Sequence, residues 1–315
     1  MTLKKLYELI VKLGISRDPR GVAMREYFSA IRKEYRGLRG VERRYFDREA
    51  LTNPFSDTRI LYGDREHRVK KILVGIDIEA PEILLADKIR EKDGLDLVIA
   101  HHPEGIAYAG LAEVMRVHNF ILQKLGLHKE VVDDFVKERS NEVARRISSA
   151  NHSRAVDAAR LLNIPFLCCH TPSDNFVAGY LQALLDKSKP KKVGDIMNIL
   201  YKIPEYTGAL IRKAGPKIVL GKAGKKAGKV FVDMTGGTEG PKELFARLSQ
   251  AGVGTLVCMH LSEEHFAKVK PEHINVVIAG HMASDNLGLN LLFDKIESVE
   301  KLDIECCSGF ERIRR

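Results

Sequence analysis

The sequence lacks tryptophan, has no CxxC pair among its five cysteines, and contains no apolar run near the roughly 18 residues of a membrane-spanning helix. The missing CxxC pairs exclude paired-cysteine zinc and redox motifs, and the missing run argues against a membrane protein. An odd cysteine count favours a reducing compartment, so we expect a cytoplasmic protein. Each cysteine lies in an apolar, strand-like segment, and we expect all five to be buried.

The charge balance favours anionic partners. Lysine and arginine number 51 against 42 acidic residues, a formal charge of +9 that would attract nucleotides, nucleic acid or phosphorylated metabolites. Many charged residues without tryptophan are also typical of a thermophile's surface, so charge alone leaves both interpretations open. Apolar residues at helical spacing over 1–14, with no cleavage site after them, predict a surface helix and not a signal peptide.

The order of elements predicts an α/β fold of two halves, each with a mainly parallel sheet flanked by helices and with a metal site in the cleft between them. We expect a helical N-terminal extension over 1–66, a first α/β half over 67–190 and a second over 191–315. Between two strands of the second half, GKAGKKAGK over 221–229 predicts a solvated hairpin turn. DMTGGTEG over 233–240 predicts a tight strand-to-helix turn, although its amides could also hold an anion.

Three predicted strands end in histidine. LVIA leads into His101 and His102, FLCC into His170, and VVIAG into His281. Because parallel sheets place ligands at the carboxyl ends of their strands, these histidines can converge on one crevice. A lone His170 or His281 would more often be a hydrogen-bonded core residue, but two adjacent histidines at a strand end are harder to explain by packing.

The last two strand ends share the motif H-x-x-S-D-N, over 170–175 and 281–286. A histidine and an aspartate four residues apart at a strand-to-helix junction can both face the crevice, and imidazole with carboxylate binds zinc, iron, manganese or cobalt. The serines would cap the helices, and Asn175 and Asn286 could orient the carboxylates. The remaining histidines in charged contexts are expected on the surface: His67, His118, His128, His152 and His273.

Other metal and phosphate signatures fail on spacing. HLSEEH, over 260–265, is one residue too long for an H-x-x-E-H zinc helix, and no H-E-x-x-H occurs. No Walker A loop can be written in the glycine- and lysine-rich segment. These failures exclude the corresponding metallopeptidases and phosphate-binding loops.

Several spaced motifs together carry a family resemblance. They are IAHHP over 99–103, HTPSD over 170–174, GHMASD over 280–285, VGIDIEAPE with Asp77, the glycine-rich turn, and SEEHFAKV around His265. From about Lys70 to the C-terminus, less an atypical middle, the chain resembles the Nif-three-like dinuclear-metal family, also labelled GTP cyclohydrolase 1 type 2.

The resemblance implies two divalent ions, of zinc, iron or manganese, with His170 or His265 moving protons. Asp285 stands where the family usually has glutamate, and its shorter side chain could weaken one of the two metals. The implied metal ligands are His101, His102, Asp174, His281 and Asp285, and the residues implied around them or the substrate are Asn175, Asn286, Gly236 and Gly237.

The activity implied by the resemblance is metal-dependent hydrolysis, as in ring opening of a purine nucleotide or attack on another small anionic substrate. A toroidal homohexamer is implied as well. The alternative is a metal-stabilised scaffold or nucleic-acid-binding protein without turnover. A metallophosphoesterase is disfavoured because the sequence has no D-x-H opening.

Overall fold

Short apolar segments rich in β-branched residues form the strands, and amphipathic segments form the helices between them. The computed structural model describes all 315 residues. The strands are β1 Arg59–Tyr62, β2 Lys71–Gly75, β3 Leu97–Ala100, β4 Phe166–Cys168, β5 Lys217–Leu220, β6 Lys229–Asp233, β7 Val253–Cys258, β8 Asn275–Ile278 and β9 Asp303–Cys307.

Helices surround both groups of strands. They are α1 Leu3–Ser16, α2 Met24–Gly37, α3 Gly40–Tyr45, α4 Ala80–Asp93, α5 Gly105–Ala109, α6 Leu111–Val114, α7 Val117–Lys124, α8 Lys129–Ile147, α9 Arg154–Leu161, α10 Thr171–Ser188, α11 Val193–Leu200, α12 Pro204–Ile211, α13 Phe245–Gln250, α14 Glu263–Val269 and α15 His281–Glu297. No helix combines the length and the apolar character needed to cross a bilayer.

The first sheet has five strands in the order β1-β4-β3-β2-β9. All pairs are parallel except β1 with β4. The central strands are apolar throughout because helices cover both faces of the sheet, and every residue of β3 and β4 is buried. The parallel strands therefore direct their carboxyl ends to one edge.

The second sheet has four strands in the order β5-β8-β7-β6. Strands β6, β7 and β8 are parallel, and β5 is antiparallel at the edge. The predicted hairpin over 221–229 is therefore wrong, since β5 and β6 lie at opposite edges. The segment crosses the end of the sheet instead, where the Thr255 hydroxyl donates to the Ala227 carbonyl. The predicted α/β architecture of two mainly parallel sheets flanked by helices is confirmed.

Helices α10 and α15 pack closely side by side. An added Cβ at Gly288 would lie 2.5 Å from the Ser173 carbonyl oxygen, so the α15 backbone sits directly on the start of α10. Leu289 of α15 joins the core of the first sheet, while Leu287 joins that of the second. The helix pair thus connects the two halves.

The predicted boundaries differ from the structure at both ends of the chain. Helix α1 does not belong to a separate extension, because Leu3, Leu6 and Ile10 are buried in the core of the first sheet. Strand β1 is an edge strand of that sheet, and β9, predicted in the second half, pairs with β2. Within 1–66, helices α2 and α3 contribute one buried residue, Met24.

Candidate metal centre

Strand ends and helix starts converge at one point. His101 and His102 directly follow β3, while His170 lies between β4 and α10. Within the motif that the sequence repeats, the histidine precedes or opens the helix and the aspartate lies one turn further on. Since residues four apart share a helix face, each pair points into the cleft between the sheets.

The Asp285 carboxylate lies between two groups of histidines. Its Oδ1 is 3.4 Å from His101 Nε2, and its Oδ2 is 3.6 Å from both His102 Nε2 and His281 Nε2. Asp174 Oδ1 is 3.5 Å from His101 Nε2. Two ligands held tetrahedrally at about 2.1 Å from one ion lie about 3.4 Å apart, so these separations fit shared coordination.

Three overlapping groups result, each with its donor atoms within 4.8 Å of one another. Two of them share Asp285: one contains His101, Asp174 and Asp285, and the other contains His102, His281 and Asp285. The third contains His101, His102 and His170. The structure thus brings together all five residues that the sequence assigned as ligands. Asp285, which we expected to be a weak ligand, is the residue that the first two groups share.

Four donor atoms at this point are buried without a hydrogen-bond partner: His101 Nε2, Asp174 Oδ1, and both oxygens of Asp285. Buried polar atoms are nearly always paired, and a buried carboxylate without a partner is costly. A mixed set of imidazole nitrogens and carboxylate oxygens is the set that divalent zinc, iron or manganese accepts. The residues therefore fit a metal centre.

Hydrogen bonds on the far side of the rings orient two of the histidines. His101 Nδ1 lies 3.2 Å from the Cys169 carbonyl oxygen and 3.0 Å from Ser173 Oγ. His102 Nδ1 donates to Asp77 Oδ1 at 2.6 Å. Because Nδ1 is engaged in each ring, Nε2 faces the centre, the usual arrangement of a metal-binding histidine.

His170 is held by an acidic residue that the sequence analysis missed. Asp57 is fully buried, and it accepts hydrogen bonds from His170 Nδ1 at 2.8 Å and from the Thr171 hydroxyl. His170 Nε2 faces Asp174 Oδ2 at 3.8 Å. Asp57 lies in a turn with no motif around it, so only the fold identifies it.

Burial and neighbouring charges shift the pKa values of the aspartates and histidines in the centre in different directions. Burial opposes ionisation of Asp285, but the charges of the surrounding histidines outweigh it and lower the pKa of this carboxyl well below its ordinary value. Burial raises the pKa of Asp174 to about 6 and lowers that of His281 to about 4. Burial also lowers the pKa of His102, but the nearby Asp285 carboxylate and the hydrogen bond to Asp77 outweigh it and raise that pKa to about 10. A cation arriving at His102 must therefore displace a proton.

The second half forms the other wall of the pocket beside this centre. Asp233 is the last residue of β6, His260 lies just beyond β7, and Glu239 lies in the segment that follows β6. None of the residues that line the pocket is lysine or arginine. Burial raises the pKa of Asp233 to about 7, and no hydrogen-bond partner holds its carboxylate.

The structure does not bring His265 to the ligand cluster. Its Nδ1 lies 2.7 Å from Ser262 Oγ, and its Nε2 donates to the Gly240 carbonyl at 2.8 Å. Both ring nitrogens are engaged, so the expected proton-transfer role has no free nitrogen here. His260 has no hydrogen-bond partner, and its ring centroid lies 4.9 Å from that of His281. Sequence reasoning passed over His260 because it matched no spaced motif.

The two asparagines do not orient the carboxylates. The Asn175 amide donates to the Gly14 carbonyl and accepts from the Thr235 hydroxyl, and Asn286 donates to the Met282 and Gly309 carbonyls. Both therefore connect chain segments around the centre. The repeated serines are not helix caps either: each donates to the carbonyl three or four residues earlier, at His170 and Gly280.

Gly236 and Gly237 lie in a packed turn. Both have positive φ, and a Cβ would lie 2.6 Å from His118 Nε2 at Gly236 and 2.7 Å from Val114 at Gly237. The tight-turn interpretation fits this packing. His118, expected on the surface, is buried beside the turn, where burial lowers its pKa to about 4. Cys306 is likewise exposed, not buried, because β9 is an edge strand.

A solved structure of a NIF3 superfamily protein from Sphaerobacter thermophilus matches this architecture. The two share 27% sequence identity with a TM-score of 0.69, over 81% of this chain and 92% of that chain. The structural neighbours are NIF3 superfamily proteins, which supports a NIF3-like family assignment. The family predicted from the sequence motifs is thereby confirmed.

Two further solved structures resemble this chain more distantly. Reduced HcgD from Methanocaldococcus jannaschii has 17% identity and a TM-score of 0.47, over 90% of this chain and 97% of that chain. A Bacillus cereus protein related to NIF3 has 12% identity and a TM-score of 0.43, over 90% and 95%. No protein-family model and no curated protein matches the chain.

Proposed function

We propose that this NIF3-superfamily protein is a hydrolase that depends on two divalent metal ions. The observation that carries the proposal is the position of Asp285, whose two buried oxygens lack hydrogen-bond partners and face different histidine groups. A carboxylate shared between two ions is typical of dinuclear hydrolases. Zinc, iron and manganese are the candidate ions for this donor set.

Each ion would have its own group of residues. His101 and Asp174 would hold one ion and His102 and His281 the other, with Asp285 contributing to both. When bound, such a pair polarises the substrate and makes water a nucleophile near neutral pH. His170, oriented by Asp57, is placed at the edge of the cluster to accept or return a proton.

The residues of the pocket wall indicate which class of substrate the pocket would bind. A carboxylate and a free imidazole, at Asp233 and His260, favour a ring that carries N–H donors, whereas the absence of lysine and arginine disfavours binding phosphates there. A purine nucleotide would meet these groups with its base toward the pocket wall and its phosphates outside. This supports ring opening of the GTP cyclohydrolase kind over phosphoester cleavage.

Metal content per chain tests the centre. Protein purified without chelator should contain about two equivalents. Asp285→Asn should lose both ions, because it weakens both groups, whereas Asp174→Asn should retain about one. Asp303→Asn makes the same chemical change at an exposed strand position and should keep both ions. Less than about a tenth of an equivalent in the wild type, not restored by zinc, iron or manganese, would overturn the proposal.

Turnover is tested separately, with guanosine, GMP and GTP as probes of the loaded protein. Ring opening changes the purine ultraviolet spectrum, and we expect all three to react because the pocket does not bind phosphate. Two equivalents of metal with no change in any of the three would favour the scaffold without turnover. The predicted cytoplasmic location and toroidal hexamer stay predictions.

A further inference from the structure

Helices α2 and α3 form an arm, defined here as residues 24–45, that the metal centre does not use. Met24 is its one buried residue. The Arg20 guanidinium lies 4.6 Å from the centre of the Tyr27 ring and joins the base of the arm to the body. Its other apolar and aromatic residues are half-buried or exposed, whereas all of its charged side chains are exposed, so packing does not explain its charge.

The arm holds a large share of the chain's positive charge. It has seven basic residues against three acidic ones, a difference of +4 in 22 residues, where the whole chain of 315 has +9. Several arginines elsewhere in the chain form ion pairs with acidic residues. The basic side chains of the arm are all exposed and form none: Arg25, Arg32, Lys33, Arg36, Arg39, Arg43 and Arg44. These cations are free to meet an external anion.

Aromatic rings alternate with these cations. Arg43 lies 4.8 Å from the centre of the Tyr35 ring, and Arg44 lies 5.5 Å from that of Tyr45. The Arg32 guanidinium is 5.9 Å from the Phe28 ring. Tyr45 is 73% exposed, so most of its ring is open to solvent although Arg44 lies beside it.

We infer that the arm binds single-stranded nucleic acid. Unpaired arginines supply contacts to successive phosphates, and the exposed Tyr45 and the half-buried Tyr35, each beside a guanidinium group, supply rings on which unpaired bases stack. An acidic peptide would satisfy the arginines but would leave the rings without a role. A duplex keeps its bases stacked inside and offers the tyrosines no such face. The inference uses none of the metal-binding residues and stands apart from the proposed hydrolase.

Fluorescence anisotropy with a labelled 15-mer of oligo(dT), on the full chain, tests the inference. Arg32, Arg36 and Arg43 are changed together to glutamine; the control changes Lys222, Lys225 and Lys226, three exposed lysines far along the chain, in the same way. Both variants lose three charges. We expect the arm variant to bind at least about tenfold more weakly and to lower the salt slope by about 2, since each contact contributes about 0.7. The lysine variant should stay within about twofold of the wild type.

The aromatic part is tested with Tyr35→Ala and Tyr45→Ala. Each should weaken oligo(dT) binding at least about fivefold while leaving heparin binding unchanged, because heparin offers charge but no bases. Equal losses in the arginine and lysine variants would show nonspecific attraction by net charge and overturn the inference. A duplex bound as tightly as oligo(dT), or tyrosine variants that bind like the wild type, would also overturn it. Circular dichroism of each variant confirms that its helices are intact.

Discussion

Asp285 serves two histidine groups although its side chain is one methylene shorter than glutamate. The reason lies in its position: α15 begins at His281, so Asp285 occupies the next turn on the same face, directly beside the strand ends. The helix start thereby compensates for the short side chain. A single conservative change at this residue should affect both halves of the centre, whereas Asp174 belongs to one group alone.

The Asp233 carboxyl makes the stability of the folded protein depend on pH. An aspartate releases its proton near pH 3.9 when unfolded, but here burial raises the pKa to about 7. The folded state therefore binds more protons between those values, and the wild type should lose stability as pH rises from about 4 to 7. The Asp233→Asn variant lacks this pH-dependent loss. At about pH 8 its free energy of unfolding should exceed that of the wild type by roughly 1–2 kcal/mol, whereas near pH 4 the two should be equal.

Urea unfolding at the two pH values measures this effect. Asp303→Asn, at an exposed position, should follow the wild type at both. Parallel pH profiles for the wild type and Asp233→Asn would mean that Asp233 is not desolvated in the folded protein.

At the scale of elements, the contact between α10 and α15 sets the geometry of the centre, because each helix carries one of the aspartates. An alanine at Gly288 would place its Cβ 2.5 Å from the Ser173 carbonyl oxygen and push the helices apart. We expect Gly288→Ala to lower the free energy of unfolding by about 1–3 kcal/mol and to reduce metal content. Gly179→Ala, on the exposed side of α10 with nothing within 4 Å, should be neutral or stabilise by up to about 1 kcal/mol. Gly288→Ala with unchanged unfolding and metal content would contradict this account.

The sequence predicts those elements whose signals are local. Apolar runs and strand-end histidines are local signals, so β2, β3, β4 and β8, and the ligands that follow them, were predictable. Strand pairing is not local. The edge strand β1 and the acid Asp57 before it escaped prediction because their partners lie more than 100 residues away. The hairpin failed for the same reason, since β5 and β6 pair with other strands.

Side-chain partners were the least predictable feature. Asn175 and Asn286 stand beside ligand aspartates in the sequence, yet the helix turns them toward other segments. His265 belongs to a motif of the resemblance, but Ser262 and the Gly240 carbonyl occupy its nitrogens. Residue type and spacing predict which residues lie near the centre, but the direction of each side chain depends on the packed fold.

For the whole molecule, the α10–α15 pair and the shared cores make the two halves one packed unit. Residues of α15 enter the cores of both sheets, so opening either sheet would expose apolar side chains of α15. We expect native-state hydrogen exchange to show the same opening free energy for the central strands β3 and β7. If β7 exchanges more than about tenfold faster than β3, the halves unfold separately and the proposed coupling is wrong.

The unpartnered atoms at the centre have a consequence for the protein in the cell. Without ions, both buried oxygens of Asp285 lack hydrogen-bond partners, whereas an ion that binds only the folded state adds stability that grows with the free ion concentration. A marginally stable chain is removed by proteases in proportion to its unfolded fraction. If the proposed function holds, the abundance of this protein would follow the supply of divalent metal. During metal starvation its level would fall through degradation, without a change in its synthesis.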